Sequence, residues 1–179
     1  MKRAVFIVLL VLSAGSLPAQ NVVRHNCWDI EVPVPANSVP PVYIVTVADT
    51  GLMLVTLAKE YIGTPYHYGG RTPKGFDCAG FALYLYKHFG HDLPGWSGAQ
   101  ARLGTEVSDT RNLLPGDLVF FGARHNKKYL GHTGIVVSAD PENGTFRFIH
   151  ASTTAGVIIS RSTEEYYAQR YLTARRILK

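Results

Sequence analysis

Cysteine is scarce in this sequence: its 179 residues include only two, Cys27 and Cys78. The chain also lacks a C-x-x-C pair and an H-E-x-x-H run, which are common signatures of zinc sites. The other candidate ligands, His67, His132 and His150, are far apart in the sequence. We therefore expect no metal and no cofactor. Charged residues make up only 17% of the chain and no arginine-rich stripe occurs, so the composition argues against nucleic-acid binding.

Outside the N-terminus, the sequence has no long apolar run. Residues 1–20 have the layout of a secretory signal peptide: Lys2 and Arg3 precede an apolar run at 4–12, and small residues follow up to Ala19. The alternative is a membrane anchor, but the run is shorter than the roughly 20 residues that span a bilayer. We predict export, cleavage near residue 20 and no integral membrane span in the mature chain.

Removing residues 1–20 takes away two of the 18 basic residues and none of the 13 acidic ones, so the net charge falls from +5 to +3. Apolar residues make up 46% of the sequence, which suits one globular domain with a full core. Four prolines lie in Val32–Pro41, so we predict that 21–48 is a proline-rich arm or linker. The β-branched run at 42–47 could add an edge strand. The folded domain is predicted to cover 49–179.

The first half of this domain has helical patterns and the second half has short strands. Asp49 and Thr50 are candidate N-caps of a first helix that stops at Gly63, and further helices are predicted over Cys78–Gly90 and around Ser97–Leu103. Runs rich in Val, Ile and Phe then predict strands at Asp117–Phe121, His132–Ser138, Phe146–Ser152 and Gly156–Ser160, with a closing strand within residues 171–178. This order indicates an α+β domain with N-terminal helices packed on an antiparallel sheet of about five to six strands.

Cys78 lies at the predicted start of the second helix. A helix N-terminus favours the thiolate, which is the nucleophilic form of cysteine. Asp77 can cap this helix, and Ala79 and Gly80 leave room beside the sulfur. Two other interpretations stay open: Cys78 is a buried, inert residue, or it forms a disulfide with Cys27.

A nucleophilic cysteine needs a base, and two of the seven histidines belong to predicted strands. His132 opens one strand and His150 lies near the end of another. If these strands are neighbours, both imidazoles can point at the start of the Cys78 helix, one as base and the other orienting it. His67 lies in the loop before the cysteine and could line the same cleft. Alternatively, each histidine is a hydrogen-bonded residue at a strand edge.

Five motifs, in order along the chain, resemble those of one protein family. They are P-Y-H-Y-G-G (Pro65–Gly70), G-F-D-C-A-G-F (Gly75–Phe81), L-P-G-D-L-V-F-F (Leu114–Phe121), G-H-T-G-I-V (Gly131–Val136) and F-I-H-A-S (Phe148–Ser152). This pattern is similar to that of the NlpC-type cell-wall cysteine peptidases, a branch of the papain-like superfamily. The C-terminal runs further resemble the murein endopeptidase branch.

The resemblance implies a papain-like fold and roles for particular residues. Cys78 matches the family nucleophile, His132 the general base and His150 the residue that orients the base. It also implies substrate-binding residues around the cysteine: Tyr66, Asp77 and Ala79. Ala79 departs from the serine that the family most often has at this position.

The implied protein is a monomeric murein D,L- or D,D-endopeptidase in the periplasm or cell envelope, acting on peptidoglycan peptides. A non-catalytic cell-wall-binding module is one alternative. An amidase or acyltransferase on the same scaffold is another.

Overall fold

The computed structural model of the protein describes residues 46–123, 126 and 128–179. The predicted signal peptide, all but the last residues of the predicted arm, the partner cysteine Cys27 and most of the proposed edge strand lie outside the described residues. Among the residues that are described, no helix is both long enough and apolar enough to cross a membrane.

Helix α1 spans Val47–Lys59 and begins earlier than the sequence pattern predicts. Its N-cap is Thr46, and Asp49 is the third residue of the helix. The Asp49 N–H donates to Thr46 Oγ1 at 3.2 Å, and the Thr46 N–H donates to Asp49 Oδ2 at 2.9 Å, so the two residues form a capping box. The prediction of Asp49 or Thr50 as N-cap is therefore wrong, because Asp49 satisfies the helix end from inside.

The glycine-rich loop before Cys78 contains a small antiparallel hairpin, formed by β1 (Arg71–Thr72) and β2 (Gly75–Phe76). Helix α2 follows at once over Cys78–Lys87. Helix α3 covers Ser97–Gln100, a single turn within the longer segment predicted as helix.

The remaining chain forms one six-stranded antiparallel sheet with the order β3-β8-β4-β5-β6-β7. Its strands and the short helices between them are β3 (Thr105–Glu106), a 3-10 helix (Thr110–Asn112), β4 (Leu118–Gly122), β5 (Leu130–Asp140), β6 (Thr145–Ser152), β7 (Gly156–Arg161), α4 (Glu165–Ala168) and β8 (Tyr171–Arg176). The predicted α+β class, with helices first and five to six antiparallel strands after them, is confirmed.

Alternation along the strands divides the core into two clusters on opposite faces of the sheet. The first cluster joins the helices to the sheet and includes Leu54, Phe81, Leu85, Leu118, Phe120, Ile135 and Ile149. The second cluster includes Val119, Phe121, Val136, Phe146, Phe148 and Ala174. Consecutive residues of a strand thus belong to different clusters.

A buried ion pair fastens the last strand to the turn before β4. Arg176 donates to Asp117 through Nε at 2.9 Å and Nη2 at 2.7 Å, and the Leu114 N–H donates to the same carboxylate at 2.8 Å. The Asp117 side chain is only 3% exposed. Because the carboxylate is removed from water, its bonds to the guanidinium and amide offset the cost of burying the charge.

Candidate active site

The thiol of Cys78 lies at the first residue of α2, next to the capping residue Asp77. Cys78 is a free, half-buried cysteine. One oxygen of the Asp77 carboxylate accepts the Gly80 N–H at 2.6 Å, and the other accepts the Gly69 N–H at 2.9 Å. Asp77 therefore fixes the hairpin loop against the start of the helix, and the predicted cap is in place.

The surroundings of the thiol oppose one another in their effect on its pKa. Burial is the largest influence and raises the pKa of Cys78, and the nearby Asp77 carboxylate also raises it. Hydrogen bonds from the backbone of Thr133, Ala79 and Cys78 itself lower the pKa, but they do not overcome the desolvation. The expectation that the helix N-terminus makes Cys78 a ready thiolate is therefore not met, and the resting sulfur keeps its proton.

The amide that reaches the sulfur belongs to Thr133, the residue after His132 in β5. The cysteine thus meets the start of β5 from the helical side of the sheet. The His132 ring lies near Phe121 of the second cluster, with ring centroids 6.3 Å apart. The residue that contacts the sulfur is therefore the immediate neighbour of His132 in the chain.

His132 and His150 are directly hydrogen-bonded. His132 Nε2 and His150 Nδ1 are 2.8 Å apart, and the two rings are nearly perpendicular at 89°. His132 is half-buried, whereas His150 is 1% exposed. Because Nε2 of His132 is occupied by His150, Nδ1 is the nitrogen left to take a proton from a neighbour.

Two hydroxyl groups lie within hydrogen-bond distance of the other ring nitrogen of His150, Nε2. Ser160 Oγ lies 3.1 Å and Tyr167 Oη 3.2 Å from His150 Nε2. If Nδ1 of His132 accepts a proton, its Nε2 hydrogen must donate to His150 Nδ1. His150 then carries its own hydrogen on Nε2 and donates to one of the hydroxyls. With Nδ1 of His132 as the acceptor, the hydrogen bonds are thus all satisfied by one tautomer, in which both rings carry their hydrogen on Nε2.

Both imidazoles are neutral at ordinary pH. Burial lowers the pKa of His132 to about 4. Burial lowers the pKa of His150 to about 3, and the charge that His132 would carry adds to this effect. In the resting arrangement the thiol and both rings are therefore neutral.

Ser160 and Tyr167 are the site residues that sequence reasoning missed. Ser160 had a weak signal, since it is a buried hydroxyl in an otherwise apolar run at 156–160. Tyr167 had none, because it belongs to the short helix α4 and reaches His150 only through the connection from β7 to β8. Its ring also packs edge-on against Phe148 at 4.9 Å.

Of the predicted substrate-binding residues, Tyr66 lies beside the Cys78 sulfur, whereas Asp77 and Ala79 are held in contacts within the protein. Tyr66 is half-buried; burial raises the pKa of its phenol, and the neighbouring Cys78 raises it further, so the hydroxyl stays protonated beside the sulfur. Ala79 is 4% exposed, and its carbonyl accepts the side-chain amide of Gln100 at 2.9 Å. Together with the bonds of Asp77, this geometry favours a positioning role for both Asp77 and Ala79.

His67 does not join the pair of histidines. Its side chain is exposed, and its backbone holds the hairpin by bonds to Phe76 and Gly70. Among the described residues, no group of three or more His, Cys, Asp or Glu side chains is arranged to hold a metal ion.

The chain belongs to the NlpC/P60 family, whose sequence profile matches residues 63–176. It is 41% identical over 120 residues to the murein DD-endopeptidase MepS/murein LD-carboxypeptidase of Escherichia coli K12, a match that covers 66% of this chain and 58% of that protein. It is 36% identical over 131 residues to the gamma-DL-glutamyl hydrolase of Bacillus subtilis 168, covering 72% of this chain and 30% of the other. The match thus spans less than two thirds of either relative.

Solved structures show the same fold. An NlpC/P60 family protein from Bacillus cereus has a TM-score of 0.64 at 29% identity, covering 83% of this chain and 42% of that one. The NlpC/p60 domain of the peptidoglycan hydrolase SagA has a TM-score of 0.57 at 32% identity, covering 70% of this chain and 97% of that domain.

Proposed function

We propose that this protein is an exported cysteine endopeptidase that hydrolyses peptide bonds in the stem or cross-link peptides of peptidoglycan. The observation that carries the proposal is the 2.8 Å hydrogen bond between His132 and His150. His132 lies near the start of β5, and the backbone amide of the next residue, Thr133, contacts the Cys78 sulfur. A base held in one tautomer beside a thiol at a helix start is the arrangement that acyl transfer through a cysteine requires.

In the first half of the reaction, His132 Nδ1 accepts the thiol proton of Cys78 as the sulfur attacks the scissile carbonyl carbon. The new C–S bond gives a tetrahedral oxyanion, which the Cys78 N–H at the helix start and the protonated Tyr66 hydroxyl are suited to stabilise. The C–N bond then breaks, and the imidazolium of His132 returns its proton to the leaving amine. The product of this half is a thioester on Cys78.

In the second half, a water molecule attacks the thioester carbonyl while His132 again takes a proton. The C–S bond breaks, the acid product leaves, and the proton on His132 returns to the sulfur. His150 orients the base throughout, because its Nδ1 accepts the Nε2 hydrogen of His132 in both charge states.

The substrate class is supported by the family and by the names of the relatives. One relative is named for DD-endopeptidase and LD-carboxypeptidase activity on murein, and another for gamma-DL-glutamyl hydrolysis. We propose a D,D- or D,L-endopeptidase acting outside the cytoplasm, since residues 1–20 have the pattern of a signal peptide. The net charge of +3 after cleavage suits an anionic wall polymer.

The test is digestion of purified, cross-linked wall fragments, with mass spectrometry of the products. Wild-type protein is expected to convert cross-linked dimers to monomers, and Cys78→Ala to lose on the order of a thousandfold or more in kcat. His132→Ala is expected to lose more activity than His150→Ala, because proton transfer contributes more than orientation. His88→Ala, at the exposed C-cap residue of α2, is the matched control.

Other results would favour the other candidates or end the proposal. Retained hydrolysis by Cys78→Ala would remove the thiol mechanism. Binding to wall material without any covalent product would indicate a wall-binding module. Separation of whole stem peptides from the glycan would indicate an amidase, and transfer of the acyl group to an acceptor other than water would indicate an acyltransferase.

A further inference from the structure

A groove of about 540 Å³ lies between α3, the start of β5 and the strands β8 and β3. Its volume is in the range of small-ligand sites, roughly 300–1,000 Å³. Two aromatic residues and four charged ones give it its chemical character: Trp96, Tyr129, Arg102, Lys128, Arg175 and Glu106. None of these residues belongs to the catalytic arrangement proposed above.

Trp96 lies at a helix N-cap, a position where tryptophan stabilises a helix less than a residue with a capping side chain does. It is the N-cap of α3 and makes no side-chain cap bond, although Ser, Thr, Asp or Asn at this position typically stabilises a helix by about 1 kcal/mol. The indole is 59% exposed, yet its position is defined, because it lies over Gly98. A Cβ added at residue 98 would come within 2.0 Å of the ring. A large exposed aromatic ring is thus held at the groove by a neighbouring glycine.

The charges of the groove are not balanced. Arg175 forms an ion pair with Glu106 at 3.2 Å, but its buried Nε has no hydrogen-bond partner. Arg102 and Lys128 are both exposed, and within the described part of the chain neither has an ion-pair partner. The groove therefore has an excess of two positive charges and a buried N–H donor without an acceptor. Such a surface favours a ligand with carboxylates.

The groove adjoins the proposed catalytic residues. Leu130, at its wall, lies two residues before His132 in the same strand. Alternation also places Thr173 and Arg175 of β8 on the helical face, which is the face that Cys78 approaches. On the other side, Gln100 of α3 donates to the Ala79 carbonyl in the first turn of α2. A chain bound at the sulfur could therefore continue into the groove.

We propose that this groove binds a carboxylate-bearing stretch of the peptidoglycan stem peptide beyond the scissile bond. The inference rests on the proposed function for the identity of the ligand. Arg102 and Lys128 attract the free carboxylates, and Trp96 covers the apolar part of the peptide. Arg102 and Lys128 set affinity and substrate choice, without taking part in bond breaking.

The test measures binding separately from cleavage. In the Cys78→Ala background, which leaves the ligand intact, the dissociation constant of a soluble stem peptide is measured by calorimetry. The same peptide with amidated carboxylates and a peptide-free glycan oligosaccharide are the comparison ligands. We expect the Arg102→Gln/Lys128→Gln double variant to weaken binding of the acidic peptide on the order of tenfold, to the level of the amidated peptide. Lys87→Gln, at an exposed lysine that does not line the groove, is the matched control.

With Cys78 intact, the double variant is expected to raise KM on the acidic substrate by a similar factor and to leave kcat within about twofold. Equal affinity of the double variant and the Lys87→Gln control for the acidic peptide would overturn the proposal. Binding of the glycan oligosaccharide as tightly as the peptide would also overturn it. If wild-type protein binds the peptide in the groove but cleaves nothing, the proposed function fails and the groove assignment stands.

Discussion

Acidification is expected to destabilise this protein through the buried histidine pair. In the unfolded chain a histidine takes up a proton near its ordinary pKa of 6.5. In the folded chain burial lowers the pKa of His132 to about 4 and that of His150 to about 3. Between these limits the unfolded state binds more protons than the folded state, so acid favours unfolding.

The magnitude follows from the pKa values. Keeping one ring neutral from pH 6.5 down to pH 4 costs about 3 kcal/mol of folding free energy, since one pH unit corresponds to 1.36 kcal/mol per proton. The two rings together give about 7 kcal/mol over this range, against a total stability of about 5–15 kcal/mol for a typical domain. The contribution is fully favourable above pH 6.5 and is lost progressively as the pH falls toward 4.

Urea unfolding at several pH values between 7 and 4 measures this effect. The informative comparison is with the double variant His132→Gln/His150→Gln. The slope of its free energy of unfolding against pH is expected to be smaller than the wild-type slope by up to about 2.7 kcal/mol per pH unit. His88→Gln, at an exposed ring, is the control and is expected to follow the wild-type curve. Parallel curves for wild type and the double variant from pH 6.5 to 4 would refute the reasoning.

Two further predictions concern the support of the site and of the sheet. Ser160→Ala and Tyr167→Phe each remove one of the two hydroxyls at His150 Nε2. Each substitution alone is expected to lower kcat on wall fragments a fewfold. The double variant is expected to lower kcat by about ten- to hundredfold with little change in KM, because the His150 ring then has no hydroxyl left to accept its Nε2 hydrogen. Small, additive effects in steady-state kinetics would contradict this. Asp117→Ala leaves the facing guanidinium unpaired and is expected to lower the free energy of unfolding in urea by about 3 kcal/mol, whereas Asp92→Ala at an exposed carboxylate should change it by less than about 0.5 kcal/mol. An equal loss in both variants would assign no special role to the ion pair.

Strand alternation predicts which residues share a face with each histidine, but it brings the two histidines together only if their strands are neighbours. His132 alternates with Val136, and His150 with Phe148, and all four belong to the second face of the sheet. The bond between the rings could not be predicted in the same way. It depends on the register of β5 against β6, which shifts between Val136 and Ser138, and sequence alone does not encode that shift.

The protonation state of the thiol is the main point on which the sequence was misleading. The position of Cys78 at a helix start indicated a lowered pKa, which is a local argument. The opposite direction comes from burial, which depends on how closely α2 packs on β5 and on the neighbouring Asp77. Packing between elements that are distant in the sequence thus outweighs the local effect of the helix end.

The neutral resting state has a consequence for how such a site works. A carboxylate as the third residue would raise the pKa of the base and favour an imidazolium, but His150 is itself neutral and supports that charge only through a hydrogen bond. In the proposed mechanism, the cost of charge separation therefore falls in the attack on the substrate, when the oxyanion forms near the Cys78 amide. Donors that act on this transient charge, with Tyr66 as the proposed one, would contribute to the rate without stabilising the free enzyme. The proposed mechanism thus depends on stabilising the transition state more than on a preformed thiolate.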